Sequence, residues 1–319
     1  MIIIGAGMAG LLAGGMIRDR EVRILEAAHS LPNNHSAVLR FRTTAVGDAL
    51  DISFRKVKMM KTVHEWRNPV ADALSYSLKT NGSATLRSAV SAKGEVAERF
   101  IAPSNLIDQM SKRIRGDIVF GSKVDADSLR SMCLNGQTVI STIPMPLMMK
   151  LVEYPTPPEF KYVHGYNINC TVPAADAYVS VYIPDQKEVF NRVSMTGDKL
   201  TIEVSLPHID LESIKHTVMM IQDKESMMKN MVDRALFYLG IDKSTYHSAR
   251  VNVQQYSKIL PINDAERKKF IIWLTDQWGI YSLGRFATWR PGLLMDDVVN
   301  DVRVIRKIIT DGHYDHRKK

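Results

Sequence analysis

The sequence predicts an α/β fold, with a Rossmann-like domain built on a parallel sheet and a second domain of the α+β class. Three observations predict it. The chain has 319 residues, enough for two domains. Its N-terminus alternates apolar strands with a helix around a glycine-rich loop, and similar strands return after a long irregular stretch. With 45% hydrophobic and 24% charged residues, the composition excludes a disordered or fibrous chain.

The N-terminus begins with a strand and a glycine-rich loop. Ile2 to Ile4 is a short run of β-branched residues, which is typical of a buried parallel strand. Gly5, Gly7 and Gly10 follow with the spacing GxGxxG. The first glycine permits a tight turn, the second lets a pyrophosphate approach the backbone, and the third lets the next helix pack against the sheet.

A helix and a second strand complete this unit. Segment 11–17 predicts the helix, and the N–H groups at its start, around Met8 and Ala9, are expected to attract phosphate. Segment 22–25 predicts the second strand, which ends at Glu26, where a carboxylate can accept hydrogen bonds from a ribose diol. Neither Arg nor Lys directly follows this acid, which disfavours NADP. In this context the glycine pattern is far more specific than alone, and it predicts a dinucleotide site.

The rest of the chain decides between NAD and FAD. Regular strand–helix units, with which NAD dehydrogenases usually continue, do not follow. Instead, segment 29–44 is irregular and contains Arg40 and Arg42, and a long basic stretch comes after it. Buried strands are predicted again at 116–124 and 138–143.

Three segments resemble the FAD-dependent oxidoreductases related to amine oxidases, and especially their UDP-galactopyranose mutase-like branch. They read VISTIP at 139–144, VSVYIPDQKEVFNRVSM at 179–195 and GIYSLGRFATWRPGLLMDD at 279–297. The resemblance implies that the Rossmann-like domain binds FAD. It also implies that the ADP part lies on the glycine loop and that the flavin end lies beside the last of these segments.

The resemblance assigns further cofactor contacts. The strand ending at Val124 is expected beside the adenine. Gly284 and Arg285 are expected to form a flavin-contacting turn, before an acidic residue that opens the final helix. The Arg-Gly-Gly pattern that usually follows the acid of the second strand is missing here. Arg40 or Arg42 is therefore expected to supply the contacts of that loop to pyrophosphate and flavin.

The final helix is predicted independently by its periodicity. Its apolar residues are spaced four, three and four apart and form one face: Val298, Val302, Ile305 and Ile309. Asp296 or Asp297 is expected as the N-cap. The start of this helix, with Asp297, is therefore expected at the flavin end of the cofactor.

The two predicted domains interleave along the chain. The FAD-binding domain is assigned residues 1–55, 96–150 and 275–319, and the substrate domain residues 56–95 and 151–274. In the substrate domain we predict three strands, at 178–183, 199–206 and 270–275. We also predict one long helix, at 210–238.

Candidate catalytic side chains are few, because a flavin carries most of the reaction itself. Lys258 precedes a segment that resembles one near the flavin face, which implies a role as a base acting through water. Arg192 either reaches an anionic substrate or faces solvent on its strand. Trp289 and Tyr281 either stack near the flavin or belong to the core. No metal site is expected, and the His and Asp residues at 311–316 are assigned to a frayed terminus.

Basic residues exceed acidic ones by 42 to 34, which gives a net charge of +8. They concentrate at residues 55–67, in the predicted substrate domain, and at 112–115. A basic rim suits an anionic substrate such as a nucleotide-sugar or DNA, although a solvated helix face is an equal alternative. Small mutase-like flavoproteins also occur in bacteriophages, where some are implicated in modifying amino acids attached to thymine in DNA.

These observations lead to three hypotheses. The first is an FAD-dependent oxidoreductase acting on a C–N bond of an amine or amino-acid group, in its boldest form one attached to a modified thymine in DNA. The second is a redox-neutral sugar mutase, and the third is a non-enzymatic flavin-binding module. Two cysteines and the lack of an apolar run of about 20 residues predict a cytoplasmic protein, in the host cytoplasm if phage-encoded. The oligomeric state stays open.

Overall fold

The computed structural model describes residues 1–31, 40–64, 68–86, 94–241 and 245–311. Their strands form two sheets, one of five strands and one of eight, which we call sheet A and sheet B. In this part of the chain, no helix is both long enough and apolar enough to cross a membrane.

The described strands are β1 (Ile2–Ile4), β2 (Val22–Leu25), β3 (Arg40–Phe41), β4 (Arg55–Val63), β5 (Glu95–Ile101), β6 (Gly116–Val119), β7 (Val139–Ser141), β8 (Tyr162–Thr171), β9 (Ala177–Tyr182), β10 (Arg192–Gly197), β11 (Lys199–Leu206), β12 (His247–Ile259) and β13 (Ile280–Ser282). The helices are α1 (Met8–Met16), α2 (Ala45–Leu50), α3 (Pro69–Asn81), α4 (Leu106–Ser111), α5 (Ala126–Leu134), α6 (Met145–Leu151), α7 (Leu211–Asp223), α8 (Glu225–Tyr238), α9 (Asp264–Trp278) and α10 (Met295–Thr310).

Sheet A is the Rossmann-like sheet that the sequence predicts. Its order is β13-β7-β1-β2-β6, and every neighbouring pair is parallel. Successive residues of β1 point to opposite faces, so that Ile3 packs into one apolar cluster while Ile2 and Ile4 pack into another. Helices α1, α2, α4 and α10 cover the first face, and α5, α6 and α9 cover the second. Burial on both faces explains why these strands consist of continuous apolar runs.

Sheet B is mixed, with the order β12-β8-β11-β10-β9-β4-β5-β3. Its pairs are antiparallel except β4 with β9, which is parallel. One face is apolar and packs against α7 and α8. The opposite face carries polar side chains, and α3 lies against part of it through Tyr76 and Tyr182. The predicted fold class, a Rossmann-like α/β domain with a second α+β domain, is confirmed.

Several local predictions differ from the structure. Segment 270–275, predicted as a strand, lies inside α9, which begins because the Asn263 side chain accepts hydrogen bonds from the N–H groups of Ala265 and Glu266. The long helix predicted at 210–238 is two helices, because Lys224 has an extended backbone that separates α7 from α8.

The C-terminal helix is present with its predicted apolar face buried, but its N-cap is Leu294 rather than Asp296 or Asp297. The Asp297 carboxylate instead reaches back to accept a hydrogen bond from the Leu294 N–H at 2.9 Å. An acid in the first turn satisfies a free N–H there just as an N-cap would.

The strand pairing of sheet B crosses the predicted domain boundaries. β3, inside the segment 1–55, is paired with β5 at the edge of sheet B. The boundary drawn at residue 96 falls within β5, which pairs with β4 over seven residues. Sheet B therefore includes strand residues from both sets of segments.

Candidate functional site

The ends of four parallel strands meet at the carboxyl edge of sheet A. Gly5 follows β1, Glu26 follows β2, Thr142 follows β7, and Gly284 lies two residues after β13. The chain leaves β1 towards β2 on one side, while β7 lies on the other side. Such a reversal of strand order opens a crevice at the carboxyl edge of a doubly wound sheet.

The three glycines of the loop have different roles. A Cβ on Gly10 would lie 1.9 Å from the Gly5 carbonyl oxygen, and one on Gly5, whose φ is +97°, would lie 2.3 Å from Thr142 Oγ1. These two glycines therefore allow the chain to pack on itself. By contrast, a Cβ on Gly7 would meet no atom within 4 Å. Gly7 is also the N-cap of α1 and provides no side-chain cap, so the start of this helix faces open space.

Glu26 fixes the glycine loop through hydrogen bonds to its backbone. One carboxylate oxygen accepts a hydrogen bond from the Ala6 N–H at 2.6 Å, and the other accepts one from the Ala28 N–H at 2.8 Å. Each oxygen has a second lone pair, so a ribose hydroxyl can still donate to it. Strand β6 ends at Val119, before the predicted end at Val124, and Val124 lies in the loop before α5, buried in the apolar cluster on one face of sheet A.

The C-terminal turn presses against the start of α1. Gly284 has a φ of +91°, and a Cβ there would lie 2.8 Å from Ala9 Cβ. Arg285 follows directly, with its guanidinium 6.0 Å from the Phe286 ring centre. The structure thus brings together Gly5, Gly7, Met8, Ala9, Gly10, Glu26, Gly284 and Arg285 at one edge.

Asp297 lies in the first turn of α10. It lines a cavity of about 620 Å³ together with Trp289, Arg290 and Asp301. Arg290 forms an ion pair with Asp301 in its wall. The predicted aromatic candidates belong to the core, since Trp289 is 1% exposed and Tyr281 is 8% exposed.

Arg40 and Arg42 form their hydrogen bonds with residues outside the glycine loop. Arg40, in β3, donates to Ser180 Oγ and Met59 Sδ on sheet B, both at 3.0 Å. Burial, assisted by the charge of Arg192, lowers the Arg40 pKa to about 10. Arg42 is exposed, and its backbone N–H points to Asp296 at 3.4 Å.

Arg192 and Glu203 form the centre of a charged cluster on the polar face of sheet B. They are directly opposite in the β10–β11 hairpin. Two guanidinium nitrogens contact the two carboxylate oxygens, Nη2 with Oε1 at 2.6 Å. Burial by itself raises the Glu203 pKa, but the charge and hydrogen bonds of Arg192 outweigh burial and hold the pKa below its usual value. Both side chains keep about 30% exposure, so they line a recess that water reaches.

Lys258 and Tyr76 join this cluster from β12 and α3. The Lys258 ammonium lies 5.4 Å from the Tyr76 ring centre, and its charge acts on Glu203. The Tyr76 hydroxyl is hydrogen-bonded to the Asn191 side chain, and burial raises its pKa to about 12. We call Arg40, Arg192, Glu203, Lys258 and Tyr76 the cationic recess, since three cations share one carboxylate.

A buried lysine fixes the loop next to the cationic recess. Lys79 in α3 donates to three carbonyl oxygens, those of Ile183 at 3.1 Å, Asp185 at 2.7 Å and Phe190 at 2.5 Å. These bonds fix the loop that leads into Arg192. Burial lowers the Lys79 pKa to about 8, against the opposing effect of nearby Glu188 and Asp185.

The sequence singled out Arg40, Arg192 and Lys258 but missed Glu203, Tyr76 and Asn191. One signal was available for Glu203, because an arginine and a glutamate on adjacent strands of a short hairpin can be placed opposite each other by counting from the turn. Tyr76 gave no such signal, since α3 is far from the hairpin in sequence.

Residues 55–63 of the basic segment form strand β4, so their side chains alternate between two faces rather than forming one helix face. Lys56 pairs with Glu98 at 2.6 Å, and Lys61 pairs with Glu95 at 3.4 Å, both on the neighbouring strand. Arg55 contacts the Tyr178 hydroxyl. Arg67 lies outside the described residues.

The fold matches solved structures of several kinds. Reduced UDP-galactopyranose mutase matches with a TM-score of 0.66 at 13% identity, covering 97% of this chain and 95% of the other. Aklavinone-11 hydroxylase, in a complex with FAD and aklavinone, matches with a TM-score of 0.55 at 11% identity, covering 98% of this chain and 62% of the other. Glycine oxidase from Bacillus cereus ATCC 14579 matches with a TM-score of 0.52 at 12% identity, covering 96% of each chain. No protein-family profile or curated sequence matches the chain.

The chain has the fold of FAD-dependent oxidoreductases and UDP-galactopyranose mutase. A mutase, a hydroxylase and an oxidase share this architecture. Because one fold hosts several reactions, the reaction has to be argued from the site.

Proposed function

We propose that the protein is a flavoenzyme that binds FAD at the carboxyl edge of sheet A. The observation that carries this proposal is the open space at Gly7, in front of the uncapped start of α1. The N–H groups and dipole of a helix start attract a pyrophosphate, and a glycine leaves room for it. Glu26 would accept the ribose hydroxyls, and Arg285 would reach the cofactor from the turn that packs on Ala9.

We further propose that the substrate carries an anionic group, which binds in the cationic recess. Three cations face one carboxylate there, so the recess has a positive charge that an anion would neutralise. Arg192 is held in place by Glu203, and a guanidinium fixed in this way offers its remaining N–H groups in a defined direction.

The leading reaction is oxidation of a C–N bond in an amine or amino-acid group that is attached to this anion. Bound FAD supplies two-electron chemistry and can accept a hydride from a carbon next to nitrogen. Lys258 would act as a base through a water molecule at the recess. The positive recess favours an amine that carries its own negative charge, and an amino acid attached to a thymine in phage DNA is the boldest example of such a substrate.

A redox-neutral mutase acting on a nucleotide-sugar is the second candidate. One observation favours it: the recess has the charge that suits a sugar diphosphate, in a fold whose match to UDP-galactopyranose mutase spans nearly all of both chains. The third candidate is a flavin-binding module without catalysis.

Absorbance of the purified protein tests cofactor binding first. We expect a flavin spectrum, or its appearance on reconstitution with FAD, and a protein that stays colourless would overturn the proposal. Anaerobic addition of anionic amines should then bleach the flavin if C–N oxidation is correct. Turnover of a nucleotide-sugar only after dithionite reduction would replace oxidation with the mutase reaction. Bound FAD with neither response would indicate the non-enzymatic module.

The variant Gly7→Val tests the location of the cofactor. Its Cβ would enter the open space at the start of α1 with no other atom within 4 Å, so we expect a folded protein that has lost FAD. Circular dichroism and thermal unfolding report the fold, and the released cofactor is quantified by fluorescence. Full FAD occupancy in this variant would mean that the crevice is not the cofactor site.

A further inference from the structure

We propose that the amino edge of sheet A, opposite the FAD crevice, binds the phosphate backbone of double-stranded nucleic acid. The residues that form this surface lie before or at the start of β2, before β6 and near the end of α10. We call them the basal patch: Arg18, Arg20, Arg23, Lys112, Arg113, Arg115 and Arg306. This proposal is independent of the proposed flavin chemistry.

Contacts link five of the seven residues of the basal patch in two groups, which meet where Arg18 adjoins Asp19. Arg18 pairs with Asp51 at 2.9 Å, and Arg113 donates to the Asp51 carbonyl oxygen at 2.9 Å. Arg115 donates to the Arg18 carbonyl oxygen at 3.2 Å. On the other side, Asp19 lies within 3.4 Å of both Arg20 and Arg306.

The basal patch has an excess of positive charge. Segments 18–23 and 112–117 contain three carboxylates, those of Asp19, Glu21 and Asp117, and Asp51 adds a fourth by pairing with Arg18, so seven cations face four carboxylates. Each of its cations is exposed except Arg20, which is half-buried. The surplus of three charges lies on one edge of the sheet, whereas the cations of β4 are divided between two faces and partly paired with Glu95 and Glu98.

The chemistry of the patch favours phosphate as the ligand. Six of the seven cations are arginines, whose planar guanidinium groups bind phosphate oxygens in pairs. Arg113 and Arg115 are positioned by single bonds to carbonyl oxygens, and each has five N–H donors, so most donors are left for a ligand.

The same surface is poorly suited to a membrane. Peripheral membrane binding combines cations with large apolar side chains that enter the lipid. Among the described residues, segments 18–23 and 112–117 expose no large apolar side chain. In α10, Val304 is exposed two residues before Arg306, but one valine offers little apolar surface to a lipid. An edge of arginines with so little apolar surface fits a duplex backbone better than a bilayer.

The test measures binding of a fluorescein-labelled 30-base-pair DNA duplex of mixed sequence by anisotropy, from about 50 to 200 mM salt. The basal variant carries Arg20→Gln, Arg23→Gln and Lys112→Gln, three cations chosen because none of them holds a backbone carbonyl. The matched control removes the same charge elsewhere, with Lys187→Gln, Lys215→Gln and Lys269→Gln. A third variant, with Lys56→Gln, Lys58→Gln and Lys61→Gln, tests strand β4.

We expect the wild-type protein to bind the duplex with a steep salt dependence. The basal variant should bind at least about tenfold more weakly at 100 mM salt, and its slope of log affinity against log salt should be smaller by about 2 to 3. The control variant should change affinity less than about threefold. Gly7→Val should bind DNA like the wild type even if it has lost FAD, which separates this proposal from the flavin proposal.

Several results would overturn the proposal. Lack of duplex binding by the wild type at 50 mM salt would do so, as would equal losses in the basal and control variants, which would indicate a response to net charge alone. A loss confined to the β4 variant would move the site to sheet B. Tighter binding to phosphatidylserine vesicles than to the duplex, lost in the basal variant, would identify a membrane surface instead.

Discussion

The carboxyl edge of sheet A and the cationic recess of sheet B are both polar sites, but they are built from different groups. The edge of sheet A uses backbone groups: the N–H groups at the start of α1 and glycines that leave space. The recess uses side chains, with Arg192 and Glu203 at its centre. The edge of sheet A depends on close backbone packing at glycines. The cationic recess depends on how charged side chains are paired.

This difference predicts different responses to substitution. In the backbone site, a single methyl group at the wrong glycine collides with the main chain, which cannot move away. In the side-chain site, removing one group leaves its partners charged and poorly solvated, and the cost depends on how much water reaches them. The following variants compare the two, from the largest expected effect to the smallest.

Gly10→Ala should have the largest effect. Its Cβ would lie 1.9 Å from the Gly5 carbonyl oxygen, so either the loop or α1 must shift. We expect a loss of about 4 kcal/mol or more in the free energy of unfolding, in the range of severe steric changes. Gly7→Ala is the matched control and should cost less than about 1 kcal/mol. Urea unfolding of both variants measures the difference, and equal losses would contradict the distinct roles of the two glycines.

Glu203→Gln should come second, with a loss of about 2 kcal/mol because Arg192 keeps its charge beside Arg40 and Lys258. The Glu203 pKa is lower in the folded state than in the unfolded state. The unfolded state therefore binds more protons in acid. The stability that the ionised Glu203 contributes is lost as pH falls below about 4.5. The variant should show a shallower loss of stability between about pH 5 and pH 3. If the stability of the wild type and the variant fell equally steeply between these pH values, the ion pair would contribute nothing to the acid dependence.

Lys79→Met should cost about 1 to 2 kcal/mol, because three carbonyl oxygens lose their donor while a buried charge is also removed. The folded pKa of Lys79 is about 8, below its ordinary 10.5. Between these values the unfolded state keeps a proton that the folded state releases, so this lysine makes stability rise with pH. Urea unfolding at pH 7.5 and 10 should show that rise in the wild type and a smaller one in the variant. A steeper rise in the variant would contradict the lowered pKa.

Asp296→Ala should have the smallest effect, about 1 kcal/mol. Its carboxylate in α10 accepts hydrogen bonds from the Thr43 N–H at 3.1 Å and from the Thr43 hydroxyl, and so links sheet A to the chain just after β3. Thermal unfolding should show a small decrease in the midpoint. Hydrogen exchange at Thr43 should quicken while exchange in β1 stays unchanged; equal quickening in both would mean that the link stabilises the whole molecule.

Sequence patterns predicted the parts of the molecule that depend on local rules. The continuous apolar run Ile2–Ile4, followed at once by the glycine loop, predicted a strand buried on both faces, and the spacing of Val298, Val302 and Ile305 predicted a helix with one buried side. Segment 270–275 was misread as a strand because its apolar residues, taken alone, fit either structure. The capping side chain of Asn263, some residues earlier, starts the helix that contains them.

The sequence by itself therefore determined the glycine loop, the acid at Glu26 and the strands that precede them, because backbone geometry near a glycine is a local property. Only the tertiary structure decided the partners of the charged residues. Arg40, predicted as a cofactor contact, hydrogen-bonds on sheet B to Ser180, 140 positions away in the chain. Glu203, Lys258 and Tyr76 meet Arg192 from three other elements. Charge acts through space rather than along the chain, so a cluster of this kind exists only after the strands have paired.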